Sequence, residues 1–294
     1  MNYRHAFHAG NFADVFKHAV LAAILLRLRT RPKPMCFVES HAGAGLYSLT
    51  RPEARRSREA ESGIGRLSGL QPGSDALAAY LGLVAALPEN RDGLLVYPGS
   101  PMIAAGLLGE QDRLVLVEAV PEEAAALKHL FRHDERVAVH CRDGWEALGA
   151  LLPPTPRRGL LLVDPPYEAP DDFGRVVAGL ELARRRWPVG VLVAWYPIKD
   201  RAALGSFYRA LDMPEPGGLL RVELSVRPDD NPGGLNGSGL LIAGPPWGLD
   251  RSLRALLDEL WPRLRAAGAP RPRLDWIQPP RNWEAPAATG RVRG

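Results

Sequence analysis

The motif with the clearest chemical use follows an apolar run at residues 159–163 and reads Asp164-Pro165-Pro166-Tyr167. Proline has no N–H donor, so the pair ends a strand and leaves the Asp164 carboxylate and nearby carbonyl groups facing outward. An exocyclic amine inserted there could donate one proton to the carboxylate and one to a backbone carbonyl, while its ring stacks on Tyr167. We interpret Asp164 as the candidate catalytic residue and Tyr167 as a candidate substrate contact.

Residues suited to binding a ligand also end three other expected strands. Glu39 precedes a Gly-Ala-Gly loop at residues 43–45, where glycine permits a tight turn and close approach of a ligand. Glu118 could accept hydrogen bonds from both hydroxyls of a ribose. Asp143 and Gly144 suit either a plain turn or a site that reads an adenine. Together these strand ends favour a nucleoside ligand at one edge of a sheet.

The N-terminal segment is rich in polar aromatic and basic residues. Four of the seven histidines precede residue 42, namely His5, His8, His18 and His41. No pair of them has a helical zinc spacing supported by an acidic or cysteine ligand, so we expect no metal site. Asn11 and Asp14 fit a helix cap. Tyr3, His5 and Lys17 suit base stacking and phosphate contact.

Two observations narrow the ligand class further. A dinucleotide-binding loop needs a third glycine, but position 48 is Ser48, which weighs against NAD. A second proline pair, in the Gly-Pro-Pro-Trp of residues 244–247, also follows an apolar run. Its first position offers no acceptor side chain, so we interpret that motif as structural.

The elements that must position these residues are predicted from short β-type runs that alternate with helical patterns, which is typical of a doubly wound α/β domain. The seven expected strands are 35–39, 113–118, 136–141, 159–163, 190–196, 219–226 and 239–243. The expected helices are 13–28, 102–108, 122–131, 173–186 and 252–266. The first two strands are too far apart for one crossover, so residues 48–96 are predicted to form a small helical insertion. Residues 279–294 lack periodicity and are predicted to be a disordered tail.

Composition sets broad limits on the function. The 294 residues are 46% hydrophobic, which is enough for a large folded domain. A net charge of +4 favours a polyanionic partner only weakly, because 37 basic residues face 33 acidic ones. Two cysteines cannot form a disulfide framework, and the longest apolar stretch near the N-terminus is about half a membrane span. We therefore expect a cytoplasmic protein without a membrane segment. We also expect it to be a monomer.

The Asp-Pro-Pro-Tyr motif, together with Glu-x-x-x-Gly-x-Gly at residues 39–45, resembles the S-adenosylmethionine-dependent amino methyltransferases. The opening block at residues 3–18, Ser-His-Ala-Gly-Ala-Gly at 40–45, Tyr-Pro-Gly-Ser-Pro at 97–101 and Trp-Tyr-Pro at 195–197 more specifically resemble the RlmJ family. That family methylates adenine N6 in 23S ribosomal RNA. The resemblance implies a Rossmann-like class I methyltransferase fold with S-adenosylmethionine as cofactor and 23S rRNA as partner.

This resemblance spans about residues 2–278, so we expect one methyltransferase domain over residues 1–278. It implies cofactor contacts at His18, His41, Ser100, Glu118, Asp143, Gly144 and Asp164. It implies substrate contacts near the adenine or the RNA at Tyr3, His5 and Lys17. Asp164 would also be catalytic, by accepting a hydrogen bond from the amine. Phe12 stands where the family often has histidine, a departure that does not touch this chemistry.

Other functions stay open on the residues alone. A non-catalytic RNA-binding protein would explain the N-terminal segment but not the strand ends, and binding of S-adenosylmethionine would separate the two. A nicotinamide oxidoreductase would share the fold but needs the missing glycine. A methyltransferase acting on DNA adenine or on a protein glutamine could also use an Asp-Pro-Pro-Tyr pocket.

Overall fold

The computed structural model describes residues 5–211, 217–229 and 234–281. The strands are β1 (Cys36–Glu39), β2 (Leu46–Ser48), β3 (Val96–Pro98), β4 (Arg113–Glu118), β5 (Val137–Cys141), β6 (Gly159–Val163), β7 (Val191–Ile198), β8 (Leu219–Ser225), β9 (Gly237–Ala243) and β10 (Arg273–Gln278). The helices are α1 (Phe12–Arg29), α2 (Pro52–Ser57), α3 (Glu59–Ser62), α4 (Asp75–Ala85), α5 (Ser100–Leu107), α6 (Pro121–Leu130), α7 (Gly144–Leu151), α8 (Asp172–Arg186), α9 (Arg201–Ala210) and α10 (Leu249–Leu264).

Eight strands form one mixed sheet in the order β10-β8-β9-β7-β6-β1-β4-β5. Strands β5, β4, β1, β6 and β7 run parallel, whereas β9, β8 and β10 are each antiparallel to their neighbours. All seven expected strands are present, but the prediction of a seven-stranded sheet is wrong because β10 adds an eighth. This edge strand alternates polar and apolar residues and is half-buried, so it lacks the continuous apolar run of a central strand.

The predicted helices correspond to α1, α5, α6, α8 and α10, with boundaries that differ by a few residues. Helix α1 is buried almost all round because it packs against α4, α5 and α10 as well as the sheet. Helices α8 and α9 cover the other face of the sheet. Their shared function is to hold the parallel strands in place between two apolar layers.

Helix α1 begins where the sequence predicts a cap. The Asn11 carboxamide oxygen accepts hydrogen bonds from the backbone N–H groups of Ala13 and Asp14, at 2.9 and 3.0 Å. Such a cap satisfies N–H groups that have no partner inside the helix. It fixes the start of α1, and with it the position of Lys17 and His18 about one and a half turns later.

The predicted insertion starts and ends at a two-stranded ribbon. Strands β2 and β3 pair antiparallel, with Tyr47 opposite Tyr97, and helices α2, α3 and α4 lie between them along the chain. Leu77 and Tyr80 of α4 are fully buried. The domain boundaries at 1–278 and 48–96 stay predictions. Most of the predicted tail, residues 282–294, lies outside the described residues.

The parallel strands deliver the candidate residues to one place. Glu39 ends β1, Glu118 ends β4, Asp143 follows β5 and Asp164 follows β6. Because these strands run parallel in adjacent positions, their carboxyl ends meet at the same side of the sheet. We call this side the carboxyl edge.

Candidate functional site

Asp164 is anchored by a residue near the N-terminus of the chain. The Lys17 ammonium of α1 lies 2.6 Å from Asp164 Oδ2, with side-chain exposures of 6% and 14%. The same ammonium lies 5.8 Å from the centre of the Trp195 ring on β7. Lys17 is therefore buried beside the candidate catalytic carboxylate.

Asp14 supplies a second carboxylate to this ammonium. Its Oδ1 lies 3.0 Å from Lys17 Nζ, and its Oδ2 lies 3.0 Å from His5 Nε2 and accepts a hydrogen bond from the Gly10 N–H. Burial opposes the charged form, but the His5 and Lys17 charges outweigh it and hold the pKa of Asp14 well below its usual range. Asp14 thus joins the N-terminal segment to the Lys17–Asp164 pair, which is more than the helix-capping role its position suggested.

Glu39 is a fully buried carboxyl at the end of β1. Ser100 Oγ, at the start of α5, donates a hydrogen bond to Glu39 Oε1 at 2.5 Å. The other oxygen, Oε2, has no hydrogen-bond partner among the described residues. Burial raises the pKa of Glu39 to about 8, and the negative charges of Asp164 and Glu118 add to this effect. Glu39 was missing from the predicted cofactor contacts, although its place before the glycine loop was a usable signal.

Glu118 ties the end of β4 to the loop after β1. Its two carboxylate oxygens accept hydrogen bonds from the backbone N–H groups of Gly43 and Val120, each at 2.8 Å. Gly43 has a φ of +62°, and a Cβ there would lie 2.1 Å from the Tyr47 hydroxyl oxygen. No other residue type fits that turn without a shift. Glycine therefore allows the loop to pack against Tyr47 while its N–H reaches Glu118.

Asp143 and Gly144 form the start of α7. Asp143 caps the helix by accepting hydrogen bonds from the N–H groups of Trp145 and Glu146, at 2.8 and 3.0 Å. A Cβ at Gly144 would lie only 2.1 Å from the Ser40 carbonyl oxygen. This contact holds the start of α7 against the loop after β1, so the two loops share one surface.

His18, a predicted cofactor contact, is buried; His41, the other predicted histidine, is half-buried, and both rings are neutral. His18 Nδ1 lies 2.8 Å from the Tyr97 hydroxyl, while its Nε2 has no partner among the described residues. Burial lowers the pKa of His18 to about 3 and that of His41 to about 4. His41 Nδ1 lies 2.8 Å from the Ser40 hydroxyl. Neither ring carries a charge at neutral pH, so each can offer only neutral hydrogen bonds.

Tyr167 belongs to an aromatic group beside Asp164. Its hydroxyl donates a hydrogen bond to the Trp195 carbonyl at 2.7 Å, and its ring centre lies 5.6 Å from that of Trp195 and 4.9 Å from that of Phe173. The φ of Tyr167 is +51°, a strained conformation for a tyrosine. Strained backbone of this kind is concentrated at functional sites. The predicted site residues omitted Trp195, whose only signal was its place in Trp-Tyr-Pro.

The structure thus brings most predicted site residues to the carboxyl edge. His5 and Lys17 lie on the chain of contacts that leads to Asp164, and Ser100 contacts Glu39. Tyr3 lies outside the described residues. The individual roles of these side chains stay predictions.

Two features absent from the described residues bear on the kind of site. No group of three or more His, Cys, Asp or Glu side chains there could hold a metal ion. No helix in the same part of the chain is long and apolar enough to span a lipid bilayer.

Comparison with known proteins identifies relatives over nearly the whole chain. Two proteins named ribosomal RNA large subunit methyltransferase J, from Haemophilus influenzae and Escherichia coli, are 37% and 39% identical to it over 95% of this chain and 99% of each relative. A crystal structure of a Legionella pneumophila protein superposes with a TM-score of 0.83 and 31% identity, covering 92% of this chain and 98% of that one.

A family model described as ribosomal RNA large subunit methyltransferase D, RlmJ, matches residues 32–278. This range contains β1 to β10 and every candidate residue of the carboxyl edge apart from those on α1 and before it. With the α/β methyltransferase fold, the clustered strand ends and the two relatives, it shows that the chain belongs to the RlmJ family of ribosomal RNA methyltransferases.

Proposed function

We propose that this protein transfers the methyl group of S-adenosylmethionine to the N6 amino group of an adenine in 23S ribosomal RNA. The observation that carries the proposal is the position of Asp164, a carboxylate at the carboxyl edge beside the strand ends suited to the cofactor. The family and its relatives support an enzyme that methylates ribosomal RNA. The choice of N6 and the role of Asp164 are our proposal.

The carboxyl edge fits S-adenosylmethionine. Glu39 Oε2 and His18 Nε2 are buried polar atoms without partners among the described residues, and a buried polar atom of this kind costs free energy until a ligand satisfies it. Glu39 and Ser100 would face the charged methionine end, and Glu118 would hold the ribose. Asp143 and Gly144 would border the adenine. When bound, the cofactor supplies an electrophilic methyl group.

Asp164 would activate the acceptor amine. The lone pair of an adenine amino group is delocalised into the ring, so the nitrogen is a poor nucleophile. Hydrogen bonds from its two protons, to Asp164 and to a carbonyl such as that of Pro165, would favour a pyramidal nitrogen and stabilise the positive charge that develops on it. Lys17 contacts Oδ2 of Asp164, whereas Oδ1 has no hydrogen-bond partner among the described residues. That oxygen would receive the amine.

The charges around Asp164 suit this role. One ammonium, Lys17, is shared by two carboxylates, Asp14 and Asp164, so these three groups together carry a net charge of −1. A net negative site stabilises an amine that becomes cationic as the new bond forms. The nitrogen then releases one proton to water. The products would be a neutral methylamino group on the RNA and the cofactor as its neutral thioether, which takes the electron pair of the broken S–C bond. No covalent intermediate with the protein is needed.

Positioning would contribute much of the rate. Holding two reactants in attack geometry can be worth about 7–11 kcal/mol. Tyr167 and Trp195 form an aromatic wall next to Asp164, against which a base taken out of its stack could rest. Tyr3, His5 and Lys17 are proposed to complete the substrate side, with the N-terminal segment attached to the site through Asp14.

The test is to incubate the protein with isotopically labelled S-adenosylmethionine and with four acceptors in parallel. These are an unmodified 23S rRNA transcript, large ribosomal subunits that lack the modification, double-stranded DNA, and a glutamine-containing peptide. Mass spectrometry of the digested acceptors then identifies the modified group. We expect N6-methyladenosine at one position of 23S rRNA, in the transcript or in the subunit.

Label in DNA or in the peptide, with none in either form of rRNA, would refute the proposal. Binding of rRNA without calorimetric binding of S-adenosylmethionine would instead identify a non-catalytic RNA-binding protein. Methylation of rRNA at a different atom would leave the enzyme class unchanged and overturn the role given to Asp164.

A further inference from the structure

A second candidate binding surface lies at the edge of the sheet where β6 begins, opposite the carboxyl edge that holds Asp164. A cavity of about 410 Å³ opens where β6 begins, bordered by the C-terminal end of α1 and by the loop after β9. Helix α1 connects the two places, since Lys17 contacts Asp164 and Arg27 lines the cavity. Ten helical residues separate them, which is about 15 Å along the helix axis. The cavity is therefore remote from the reacting atoms.

The most exposed large apolar side chains in the described part of the chain meet at this cavity. Trp247 is 81% exposed and Val189 is 70% exposed, and both line it. Tryptophan is usually well buried, and an exposed tryptophan beside another apolar residue marks a place where something binds. The Gly-Pro-Pro-Trp segment, whose sequence suggested a structural role, is therefore also a candidate binding segment.

Positive charge surrounds the exposed ring. Arg27, Arg31 and Arg158 line the cavity, and none of the described residues that line it is acidic. The guanidinium carbons of Arg27 and Arg251 lie 5.7 and 4.9 Å from the centre of the Trp247 ring. Burial lowers the pKa of Arg158, the charge of Asp112 opposes this shift, and the charge of Arg31 adds to it. Several positive charges on one surface favour an anionic ligand.

The backbone keeps this arrangement in place. Arg27 donates hydrogen bonds from its Nε, at 3.2 Å, and from Nη2 to the Trp247 carbonyl oxygen. A Cβ at Gly248 would lie 2.6 Å from Arg27 Nη2 and 3.5 Å from Arg251 Nη2, so both guanidinium groups approach the same glycine. The ring and the two cations therefore form one preorganised surface.

We propose that the distal cleft, defined as the cavity lined by Arg27, Arg31, Arg158 and Trp247 together with Arg251 beside it, binds a second single-stranded stretch of the RNA substrate. An unstacked base rests against Trp247, and phosphates meet the arginines. An acidic peptide would use the charge but not the flat ring, whereas RNA presents both kinds of group. The choice of RNA rests on the function proposed above.

A contact this far from Asp164 contributes affinity and not chemistry. Its loss should raise KM for RNA and leave kcat unchanged, because the interaction is equal in the ground state and the transition state. For a short RNA that reaches only the carboxyl edge, loss of the distal cleft should not change KM.

The experiment compares Trp247→Ala and Arg251→Ala with a control, Arg132→Ala. All three side chains are exposed, so the variants should fold. Arg132 precedes β5 at the same side of the sheet, but three strands from β6, which is about 14 Å. Each protein is titrated with the 23S rRNA transcript by fluorescence anisotropy at several salt concentrations. Methylation kinetics are measured on that transcript and on a short hairpin cut from it around the modified base.

We expect Trp247→Ala to weaken transcript binding about fivefold or more. Arg251→Ala should reduce the slope of log K against log salt by about 0.7. In Trp247→Ala and Arg251→Ala, KM should rise for the transcript but not for the hairpin, and kcat should stay at the parental value. Arg132→Ala should keep the parental affinity, KM and kcat. Unchanged transcript affinity in Trp247→Ala and Arg251→Ala overturns the distal cleft, as does equal weakening by Arg132→Ala.

Failure of this inference is separable from failure of the proposed function. If the parental protein methylates rRNA and the two variants bind it normally, only the distal cleft is wrong. If the parental protein does not methylate rRNA, the anisotropy titration still tests the cleft. The parental protein is also tested for retention on vesicles that contain phosphatidylserine. If Trp247→Ala abolishes this retention and leaves RNA affinity unchanged, the distal cleft binds an acidic membrane and not RNA.

Discussion

Two groups of buried charged residues lie on different halves of the sheet. They differ in how many of their hydrogen-bonding atoms have partners within the protein. One, the Asp164 cluster, comprises His5, Asp14, Lys17 and Asp164. The other, the Glu223 cluster, joins the antiparallel strands to α9 and comprises Tyr196, Arg201, Tyr208, Arg221 and Glu223. Both contain a carboxylate with a cationic partner, yet within the described ranges only the first lies next to buried polar atoms without partners.

The Glu223 cluster satisfies its central carboxylate from the protein alone. Glu223 accepts hydrogen bonds from Tyr196 Oη at 3.0 Å, from Tyr208 Oη, and from Arg201 Nη1 at 2.8 Å. Burial opposes ionisation, but the hydrogen bonds from Arg201 and Tyr208 outweigh it and lower the pKa of Glu223. Arg221 pairs in turn with Asp275 on β10 at 2.6 Å. Such a closed network stabilises the antiparallel half of the sheet.

The carboxyl edge around the Asp164 cluster is incomplete by comparison. Glu39 Oε2 and His18 Nε2 have no partners within the described residues, and only one oxygen of Asp164 is occupied there. A buried charge network that is complete fixes structure, whereas one that leaves acceptors open is suited to a ligand. The comparison therefore predicts activity losses from changes in the first group and stability losses from changes in the second.

The largest effect is expected for Asp164→Ala. It removes the charged acceptor for the amine, so the methylation rate should fall about 10³-fold or more, equivalent to about 4 kcal/mol of transition-state stabilisation. Single-turnover transfer of labelled methyl to the transcript measures the rate. Parental turnover in this variant would remove Asp164 from the mechanism. Chemical denaturation provides the control, because the variant should stay folded.

Glu223→Ala should reduce the stability of the protein and leave its methylation activity unchanged. Removing this buried carboxylate leaves the Tyr196 and Tyr208 hydroxyls and one nitrogen of Arg201 without their acceptor, although Arg201 keeps Asp229 as a counterion. We expect a loss of about 3 kcal/mol in the free energy of unfolding. Urea titration measures this loss. Methylation per folded molecule should stay at the parental rate at low temperature. A selective loss of kcat with unchanged stability would show that the contrast between the two clusters is wrong.

Glu118→Ala tests the cofactor side of the carboxyl edge. We expect binding of S-adenosylmethionine to weaken by about 1.5–3 kcal/mol, the worth of hydrogen bonds to a charged acceptor. Isothermal titration calorimetry measures it, and RNA affinity without cofactor should barely change. Because Glu118 also accepts hydrogen bonds from Gly43 and Val120, Glu118→Gln is the matched variant that keeps a carbonyl acceptor. Equal losses of cofactor and RNA affinity in both variants would indicate a role in folding.

The last prediction concerns the pH dependence of stability. Glu39 has an ordinary pKa of 4.5 and a pKa of about 8 in the folded protein, so the unfolded chain loses this proton first as pH rises. Its contribution to stability is full below pH 4.5 and is lost as the pH rises towards 8. Glu39→Gln cannot ionise, and without cofactor its Tm should fall less between pH 5 and 9 than the parental Tm does.

Thermal denaturation at both pH values measures the difference. Glu135→Gln, at an exposed position, serves as the matched control and should follow the parental curve. A Glu39→Gln variant with the same pH dependence as the parental protein would mean that Glu39 ionises normally in the fold.

The sequence by itself determined the parallel half of the sheet and the candidates at its edge. Central strands such as β6, Gly-Leu-Leu-Leu-Val, are buried on both faces and so must be continuously apolar, which makes them visible without a structure. Residues that follow such runs are then placed at one edge by topology alone. Asp164, Glu118 and Asp143 could be found for this reason.

Only the tertiary structure decided which of these residues share an environment. Lys17 and Asp164 are 147 positions apart, and no local pattern reports that their side chains meet at 2.6 Å. The open oxygen of Glu39 and the exposed ring of Trp247 are likewise visible only once the surrounding atoms are placed, because burial and hydrogen-bond satisfaction are properties of the packed chain. Strand β10 escaped prediction because an edge strand packs on one face and needs no continuous apolar run.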